Sequence, residues 1–162
     1  MKQLIIRRIQ QKDNPYVAQM IREVLVESGA PKVGTAYEDK TLDKMFEAYA
    51  EERSAYFVVE EAGKIIGSAG IAPLAGEKEH ICELQKMYFS AEARGRGLGK
   101  EMMKVCLAFA REQKFTQCYL ETLPYMKAAQ KLYKRTGFKE INHRMGSTGH
   151  YSCDVWMLKE LS

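Results

Sequence analysis

Residues 94–99 read Arg-Gly-Arg-Gly-Leu-Gly, and this loop follows an apolar run at 81–89 and opens a run with helical spacing. Glycine permits backbone conformations and close approaches that a Cβ atom would block. The first amides of a helix lack intrahelical partners, and together with the helix dipole they form a site for anions. Because Arg94, Arg96 and Lys100 add positive charge, the loop is suited to bind a pyrophosphate.

Two other phosphate-binding patterns do not fit the spacing of this loop. A P-loop needs a lysine followed by serine or threonine, whereas Lys100 is followed by Glu101. A dinucleotide-binding unit has its loop after the first strand of the domain, and here the loop comes after several predicted strands. A glycine-rich turn without a ligand remains the alternative, since such turns often precede helices.

The periodicity of apolar residues predicts a mixed α/β chain. Strands are predicted at 4–9, 56–59, 65–72, 81–89, 118–122, 138–141 and 152–158. Helices are predicted at 15–28, from Thr41 onward, at 100–113 and at 127–136, with a loop at 30–40. The helix from Thr41 would place on one face the apolar residues Leu42, Met45, Phe46 and Tyr49.

Length and composition indicate a soluble protein with a single domain over residues 1–162. No apolar run approaches the roughly 20 residues that span a bilayer, and the first residues are charged too soon for a secretory signal. The net charge of +4 is mild, so neither nucleic acid nor a membrane is expected as a partner. The four cysteines lack metal-like spacing, which favours a reduced, cytoplasmic protein without a bound metal.

Three motifs together resemble the GNAT superfamily of N-acetyltransferases. The loop 94–99 is similar to that family's Gln/Arg-x-x-Gly-x-Gly/Ala motif, and residues 83–89 resemble its Glu-Leu-x-Arg-Leu-Tyr-Val strand. Residues 128–138 resemble its Ala-x-x-Leu-Tyr-x-x-x-Gly-Phe segment, and the hairpin at 63–70 also fits. The resemblance covers residues 4 to about 141 in the family's order.

The resemblance implies a GNAT fold, with a central mixed sheet of six or seven strands and helices on both faces. Two parallel strands, 81–89 and 118–122, would splay apart so that acetyl-CoA binds between them. A splayed edge leaves backbone groups that need partners, which the pantetheine arm would supply. The implied cofactor-binding residues are Met87, Tyr88, Phe89, Arg94, Gly95, Arg96, Gly97, Leu98, Gly99 and Lys100.

The implied reaction is attack of a substrate amine on the thioester of acetyl-CoA. An alkylamine has a pKa of about 10 and must lose a proton before it can attack. Glu83 matches the position where many family members carry a base glutamate, and partial burial would raise its pKa into a useful range. The alternative for Glu83 is a solvated or salt-bridged glutamate on a strand face.

Two further roles follow from the resemblance. The backbone N–H of Met87 would stabilise the oxyanion, and Tyr133 would protonate the leaving thiolate as general acid. The alternative for Tyr133 is an aromatic ring that packs beside Phe138. Met126 stands where the family often has an asparagine that contacts the cofactor, and Thr122 or Tyr125 could replace that contact.

The C-terminal region contains His143, His150 and Cys153, but their spacing does not favour zinc, and direct transfer needs no cysteine nucleophile. The polar segment 146–152 could line the acceptor pocket, with His150 or Tyr151 touching substrate; a solvated loop is the alternative. Substrate identity should depend on this region and on residues 26–40.

The preferred hypothesis is therefore an acetyl-CoA-dependent N-acetyltransferase that acts on an amine. A small-molecule amine is favoured over a protein or peptide amine, because no extended acidic or aromatic groove can be named from the sequence. The alternative is a catalytically weak acyl-CoA-binding or sensor domain. The family resemblance also allows a homodimer.

Overall fold

The computed structural model describes residues 3–33, 36–124 and 126–161, and in these ranges seven strands form one mixed sheet. The strands are β1 (Leu4–Arg8), β2 (Ala55–Glu61), β3 (Lys64–Pro73), β4 (Ile81–Phe89), β5 (Gln117–Thr122), β6 (Lys139–Ile141) and β7 (Val155–Glu160). The helices are α1 (Asn14–Glu27), α2 (Met45–Ala48), α3 (Leu98–Glu112) and α4 (Lys127–Arg135). The predicted mixed sheet of six or seven strands is confirmed.

The sheet has the strand order β1-β2-β3-β4-β5-β7-β6, with one parallel pair at its centre. That pair, β4 with β5, is in register only where Ile81–Glu83 meets Gln117–Tyr119. The other neighbouring strands pair antiparallel, and β7 follows β5 along its whole length. The two parallel strands therefore splay apart after Glu83, as the family resemblance implies.

Helices cover both faces of the sheet. In β2, Phe57 and Val59 belong to the core that packs against α3, whereas Tyr56 and Val58 belong to the core that packs against α1. This alternation follows from the two-residue period of a strand. Among the described residues, no helix is both long and apolar enough to cross a membrane.

The structure differs from the sequence prediction around Thr41. Instead of one helix, a 3₁₀ turn at Lys40–Lys44 leads into the short α2. Leu42 is buried as predicted, but Phe46 is 38% exposed and does not join the core. A 3₁₀ turn has about three residues per turn, so it rotates the following positions away from the face that an α-helix would give them.

Smaller differences concern element ends. The helix α3 begins at Leu98 and not at Lys100, while β7 starts and ends later than the predicted 152–158. The predicted loop at 30–40 contains a 3₁₀ turn at Ala36–Glu38, and residues 34 and 35 lie outside the described ranges.

Candidate active site

A β-bulge in β4 lies where the two parallel strands begin to part. Between its pairings with Gly70 and Ser68, β4 uses one residue more than β3 does, and Lys86 has a φ of +48°. The bulge inverts the alternation of side chains, because Leu84 before it and Met87 after it both face the α3 core. It thereby sets the direction of the three residues that end β4.

Buried contacts hold the bulge in place. The Tyr56 hydroxyl donates to the Lys86 carbonyl at 2.7 Å and shares a hydrogen bond with Ser68 Oγ at 2.8 Å. Lys86 Nζ forms an ion pair with Asp39 Oδ2 at 2.9 Å. A residue other than glycine at positive φ costs roughly 1–2 kcal/mol, so these contacts must offset backbone strain.

The glycine loop uses each glycine for a definable reason. Gly95 and Gly97 have φ values of +72° and +76°, a region that residues with a Cβ rarely adopt, and Gly97 directly precedes α3. At Gly99 a Cβ would lie 2.8 Å from Leu132 Cδ2, so this glycine permits close packing of α3 on α4. The loop therefore combines left-handed backbone with a tight helix contact.

A cavity of about 910 Å³, here called the cleft, lies between the end of β4, the glycine loop, α4 and the end of α1. Its lining includes most of the predicted cofactor residues: Met87, Tyr88, Phe89, Arg94, Gly95, Gly97, Gly99 and Lys100. Lys127 and Arg135 of α4 add two more cations to its wall. The cleft therefore offers apolar surface together with basic groups, a combination that fits a long acyl-CoA ligand.

Two of the predicted cofactor residues have side chains directed elsewhere. Arg96 makes two hydrogen bonds to Glu61, at 3.1 and 2.5 Å, and Leu98 is buried in the core. Arg94 lines the cleft and also pairs with Glu27 Oε1 of α1 at 2.5 Å. Any cofactor contact of Arg96 or Leu98 would come from its backbone, and it stays a prediction.

A smaller space of about 40 Å³ between the splayed strands, here called the apex cavity, adjoins the cleft. Met87, Tyr88 and Tyr133 line both spaces. Lys86 and Glu121 add charged groups to the wall of the apex cavity. A ligand that enters at the glycine loop can thus extend to a charged end point.

Glu83 lies on β4 next to this end point and is only 4% exposed. Burial raises the pKa of its carboxyl to about 7, against the opposing effect of a hydrogen bond from Gln85 Nε2 at 2.5 Å. Gln85 in turn accepts a hydrogen bond from the Tyr49 hydroxyl. The chain from Tyr49 to Glu83 fixes the orientation of the carboxyl.

Glu121 is a site residue that the sequence reasoning missed. Its carboxylate accepts hydrogen bonds from the Tyr119 hydroxyl at 2.7 Å and from Thr148 Oγ1 at 2.5 Å, and its side chain is 1% exposed. The register of β4 and β5 pairs Glu83 with Tyr119, so alternate residues of both strands face the same side. This alternation of residues along the strand is the sequence signal that could have identified Glu121.

His150 lies in the same cluster. Its Nε2 is 2.9 Å from Asp39 Oδ2, the oxygen that also pairs with Lys86, and its Nδ1 is 3.9 Å from Glu121 Oε1. Burial acts to raise the pKa of Asp39, but the hydrogen bond to His150 and the charge of Lys86 outweigh it and hold that pKa below its usual range. The loop at 146–152 is therefore tied to the bulge through Asp39.

The other C-terminal residues are placed differently. Tyr151 is 61% exposed, and His143 is exposed and contacts Asn142 Oδ1 at 3.1 Å. Cys153 lines the apex cavity, and burial raises the pKa of its thiol to about 12, which keeps it neutral and a poor nucleophile.

Ligand atoms of Glu83, Glu121 and His150 all lie within 4.8 Å of one another, a spacing that could hold a cation. The hydrogen bonds and ion pair described above already engage all three side chains. The absence of a metal stays a prediction.

Tyr133 combines both of the interpretations offered for it. Its ring packs edge-on against Phe138, with centroids 6.1 Å apart, and it also lines the cleft and the apex cavity. Burial raises the pKa of its phenol further above the usual value, so the hydroxyl keeps its proton at neutral pH. Thr122 Oγ1 lies 3.9 Å from Met126 Sδ, while Tyr125 lies outside the described residues.

Solved structures with the same fold include an acetyltransferase of the GNAT family from Staphylococcus aureus. It superposes with a TM-score of 0.86 at 17% identity, over 99% of this chain and 100% of that one. The yncA protein of Salmonella typhimurium, solved with its cofactor acetyl-CoA, superposes with a TM-score of 0.79 at 16% identity, over 98% and 94% of the two chains. These similarities establish the fold.

Sequence comparison gives the family. The N-acetyltransferase YjgM of Escherichia coli K12 is 44% identical over 158 residues, which cover 97% of this chain and 95% of that protein. Human N-acetyltransferase 8 is 30% identical over 118 residues, or 68% of this chain and 52% of that protein. The family model described as "Acetyltransferase (GNAT) family" matches residues 18–138. The chain belongs to the GNAT family of acetyltransferases.

Proposed function

We propose that the chain transfers an acetyl group from acetyl-CoA directly to a substrate amine. The observation that carries the proposal is that the cleft beside the glycine loop shares the walls Met87, Tyr88 and Tyr133 with the apex cavity, where Glu121 lies within 4.8 Å of Glu83. Acetyl-CoA, when bound, supplies an acyl group activated as a thioester. The family membership and the acetyl-CoA found with the Salmonella neighbour support this choice of cosubstrate.

The loop and the start of α3 would bind the pyrophosphate. Arg94 and Lys100 line the cleft, and the first amides of α3 lie next to them because Gly97 directly precedes the helix. Amides at a helix start and nearby cations together favour a doubly charged group. Arg94 would keep its pairing with Glu27 at the mouth of the cleft, which fixes its position.

Glu83 would accept the proton of the amine. A base with a pKa of about 7 is ionised in roughly half of the molecules at neutral pH and still binds a proton well. The hydrogen bond from Gln85 holds the carboxylate in one orientation. If the base cannot reach the amine directly, one bridging water would connect them, as general bases often require.

Met87 and Tyr133 would act on the thioester itself. The backbone N–H of Met87, beside the bulge, would donate to the carbonyl oxygen as negative charge develops on it. Tyr133 would donate its proton to the departing sulfur, since burial keeps the phenol protonated. Both groups line the junction of the cleft and the apex cavity.

Other sequence expectations remain part of the proposal. A small-molecule amine is kept as the preferred acceptor, and His150 would form part of the acceptor site through its contacts with Asp39 and Glu121. A cytoplasmic location, the possible homodimer and the absence of nucleic-acid or membrane partners stay predictions.

An amine panel with acetyl-CoA, followed by the release of free thiol, tests the proposal. Tyr133→Phe preserves the ring that packs on Phe138 and is expected to lower kcat by about 100-fold, the size of a lost general acid. Glu140→Gln, an exposed change on β6, is the matched control and should leave kcat unchanged. Unchanged turnover in Tyr133→Phe would exclude the acid role. If acetyl-CoA bound but no amine released thiol, the acyl-CoA-binding or sensor alternative would be favoured.

A further inference from the structure

The charged groups around the apex cavity are unequal in number. Among the described side chains there, the carboxylates belong to Glu83, Glu121 and Asp39, and the permanent cations are Lys86 and Arg144. His150 stands between two of the carboxylates. Acidic groups therefore exceed permanent cations at the point where an acceptor amine must arrive.

Both cations are already engaged within the protein. Lys86 Nζ pairs with Asp39 at 2.9 Å, and its side chain is only 9% exposed. Arg144 Nη2 donates to the Cys153 carbonyl at 2.6 Å, while its Nε lies 3.7 Å from Glu121. A substrate carboxylate would have to displace Asp39 from Lys86, and at the buried Nε of Arg144, which has no hydrogen-bond partner among the described atoms, it would meet Glu121 3.7 Å away.

Glu83 is the carboxylate without a cationic partner. Within the described part of the chain it forms no ion pair, and its hydrogen bond comes from the neutral amide of Gln85. A carboxylate oxygen of Glu121 lies within 4.8 Å of one of Glu83, and its charge acts to raise the pKa of Glu83, whereas the charges of His150 and Lys86 act to lower it. An ionised Glu83 in this setting attracts a cation and repels an anion.

The space beside these carboxylates is narrow. The apex cavity is small, with a volume of about 40 Å³ against about 910 Å³ for the cleft. The loop at 146–152 lies beside this region, since Thr148 bonds to Glu121 and His150 bonds to Asp39. A thin amine end fits there more easily than a carbon that also carries a bulky or charged group.

We infer that the acceptor is a primary amine at the end of a carbon chain, with no carboxylate on the carbon next to the nitrogen. This inference rests on the proposed function and names its substrate class. The ammonium form would be attracted by Glu83 and Glu121, and Glu83 would then take the proton. A carboxylate beside the nitrogen would face two buried carboxylates, with Lys86 already paired to Asp39 and Arg144 next to Glu121.

Glu121 becomes the specificity-determining residue of this scheme. Its carboxylate lines the apex cavity and is oriented by the neutral donors Tyr119 and Thr148, while the Nε of Arg144 lies 3.7 Å from it. The role assigned to Glu121 is to attract the ammonium and to exclude anions. Proton transfer itself stays with Glu83.

Matched four-carbon amines test the inference through kcat/KM at one pH. We expect the kcat/KM of n-butylamine to be about 10-fold higher than that of 4-aminobutyrate and about 100-fold higher than that of 2-aminobutyrate, because like charges at short range repel each other. The neutral isostere 2-aminobutanamide should recover most of the loss seen with 2-aminobutyrate. Amine basicity cannot produce this order, since the less basic 2-aminobutyrate has more unprotonated amine available at neutral pH.

The Glu121→Gln variant tests the assigned residue. It keeps the shape and the bond to Thr148, and it should raise the KM of n-butylamine about 10-fold while the KM of acetyl-CoA stays constant. The ratio of kcat/KM for n-butylamine to that for 2-aminobutyrate should fall by about 10-fold in this variant. The acid limb of the pH–rate profile should move to lower pH, because a negative charge near Glu83 is removed. Thr148→Val removes the hydrogen bond to Glu121 but no charge, so it should keep the preference for n-butylamine. It is the control for an effect of greater mobility of Glu121.

Several outcomes would overturn the inference. One is use of 2-aminobutyrate by the unchanged protein at least as well as n-butylamine, and another is unaltered selectivity in Glu121→Gln. Ligand-observed NMR of the same amines gives a readout that does not need turnover. Selective binding of n-butylamine supports the inference even if no thiol is released. A lack of thiol release would contradict the proposed function and not the inference. Equal binding of all the amines, or binding of none, rejects the inference.

Discussion

At the scale of single residues, Glu83 shows how burial prepares a carboxyl for proton transfer. The side chain is 4% exposed, and burial is the main cause of a pKa near 7. The charge of Glu121 acts in the same direction, while Gln85, His150 and Lys86 act against it. Removal of water thus outweighs a set of favourable contacts, and the carboxyl changes its charge close to physiological pH.

The pH dependence of turnover follows from this value. Because the base must be ionised, kcat/KM should rise about 10-fold per pH unit below pH 7 and level off above it. Glu83→Gln should lower kcat/KM by about 100-fold to 1,000-fold and remove this acid limb. Thiol release measured from pH 5 to pH 9 checks both. An acid limb that persists unchanged in Glu83→Gln would assign the ionisation to another group.

The ionisation of Glu83 that is expected to increase turnover should decrease the stability of the fold. The pKa of Glu83 is raised from 4.5 in the unfolded chain to about 7 in the folded one. The folded state therefore holds this proton longer as pH rises, and stability falls between those two values. Glu83→Gln should stabilise the fold by up to about 3 kcal/mol at pH 8, and by little at pH 4. Melting temperatures at the two pH values measure the difference; equal shifts would show that the charge is not the cause.

Sequence reasoning reached some of these residues and not others. Glu83 and Tyr133 were found because they lie within motifs that can be read along the chain. Asp39 and His150 are separated by 111 positions, and no local pattern joins them. Glu121 received no site role from the sequence, although it lies near the distance at which a dinucleotide site has its acidic residue. Its position became visible when the parallel register paired Glu83 with Tyr119, which places Glu121 two residues further along β5 on the same face.

At the scale of elements, local sequence predicted the strands, the helices and the glycine loop but not the bulge. Backbone at positive φ is usually marked in a sequence by a glycine, but here the residue is Lys86, with a φ of +48°. The strain is compensated by Tyr56 and Asp39, which are distant in sequence. The start of α2 was predicted too early for a similar reason, because Asn14 of α1 accepts the hydrogen bond of the Phe46 amide.

The glycine loop offers a test in which strain and binding can be separated. Gly97→Ala places a Cβ in open space but at a φ of +76°, which should cost roughly 1–2 kcal/mol of stability. The same backbone must bring its amides close to a phosphate, so we expect coenzyme A no longer to raise the melting temperature.

Gly63→Ala is the matched control for that change. Gly63 has a φ of +85° and open space around its Cβ, but it lies in the turn between β2 and β3 and does not line the cleft. It should lose similar stability and keep its full response to coenzyme A. Equal protection of both variants by coenzyme A would contradict the role of the loop in phosphate binding.

At the scale of the whole molecule, the sheet consists of two groups of strands that are joined weakly. Strands β1 to β4 pair along their lengths, as do β5 and β7, yet β4 and β5 meet only at Ile81–Glu83. The cleft occupies the gap that opens beyond this contact, and α4 forms its other wall. A ligand in the cleft would therefore add the contacts that the two parallel strands do not make with each other.

Hydrogen exchange with and without acetyl-CoA tests this last point. A ligand that binds only the folded state stabilises it by about 2.7 kcal/mol at 100 times its Kd, but local protection should exceed this global effect only where the ligand binds. The largest slowing is expected at Met87–Phe89, in the loop at 94–99 and in the first turn of α4, all next to the cleft. Amides at Ile81–Glu83 are already in the paired region and should show only the global change. Uniform slowing over the whole sheet, or the strongest slowing at β6, would mean that acetyl-CoA does not fill the gap between the strands.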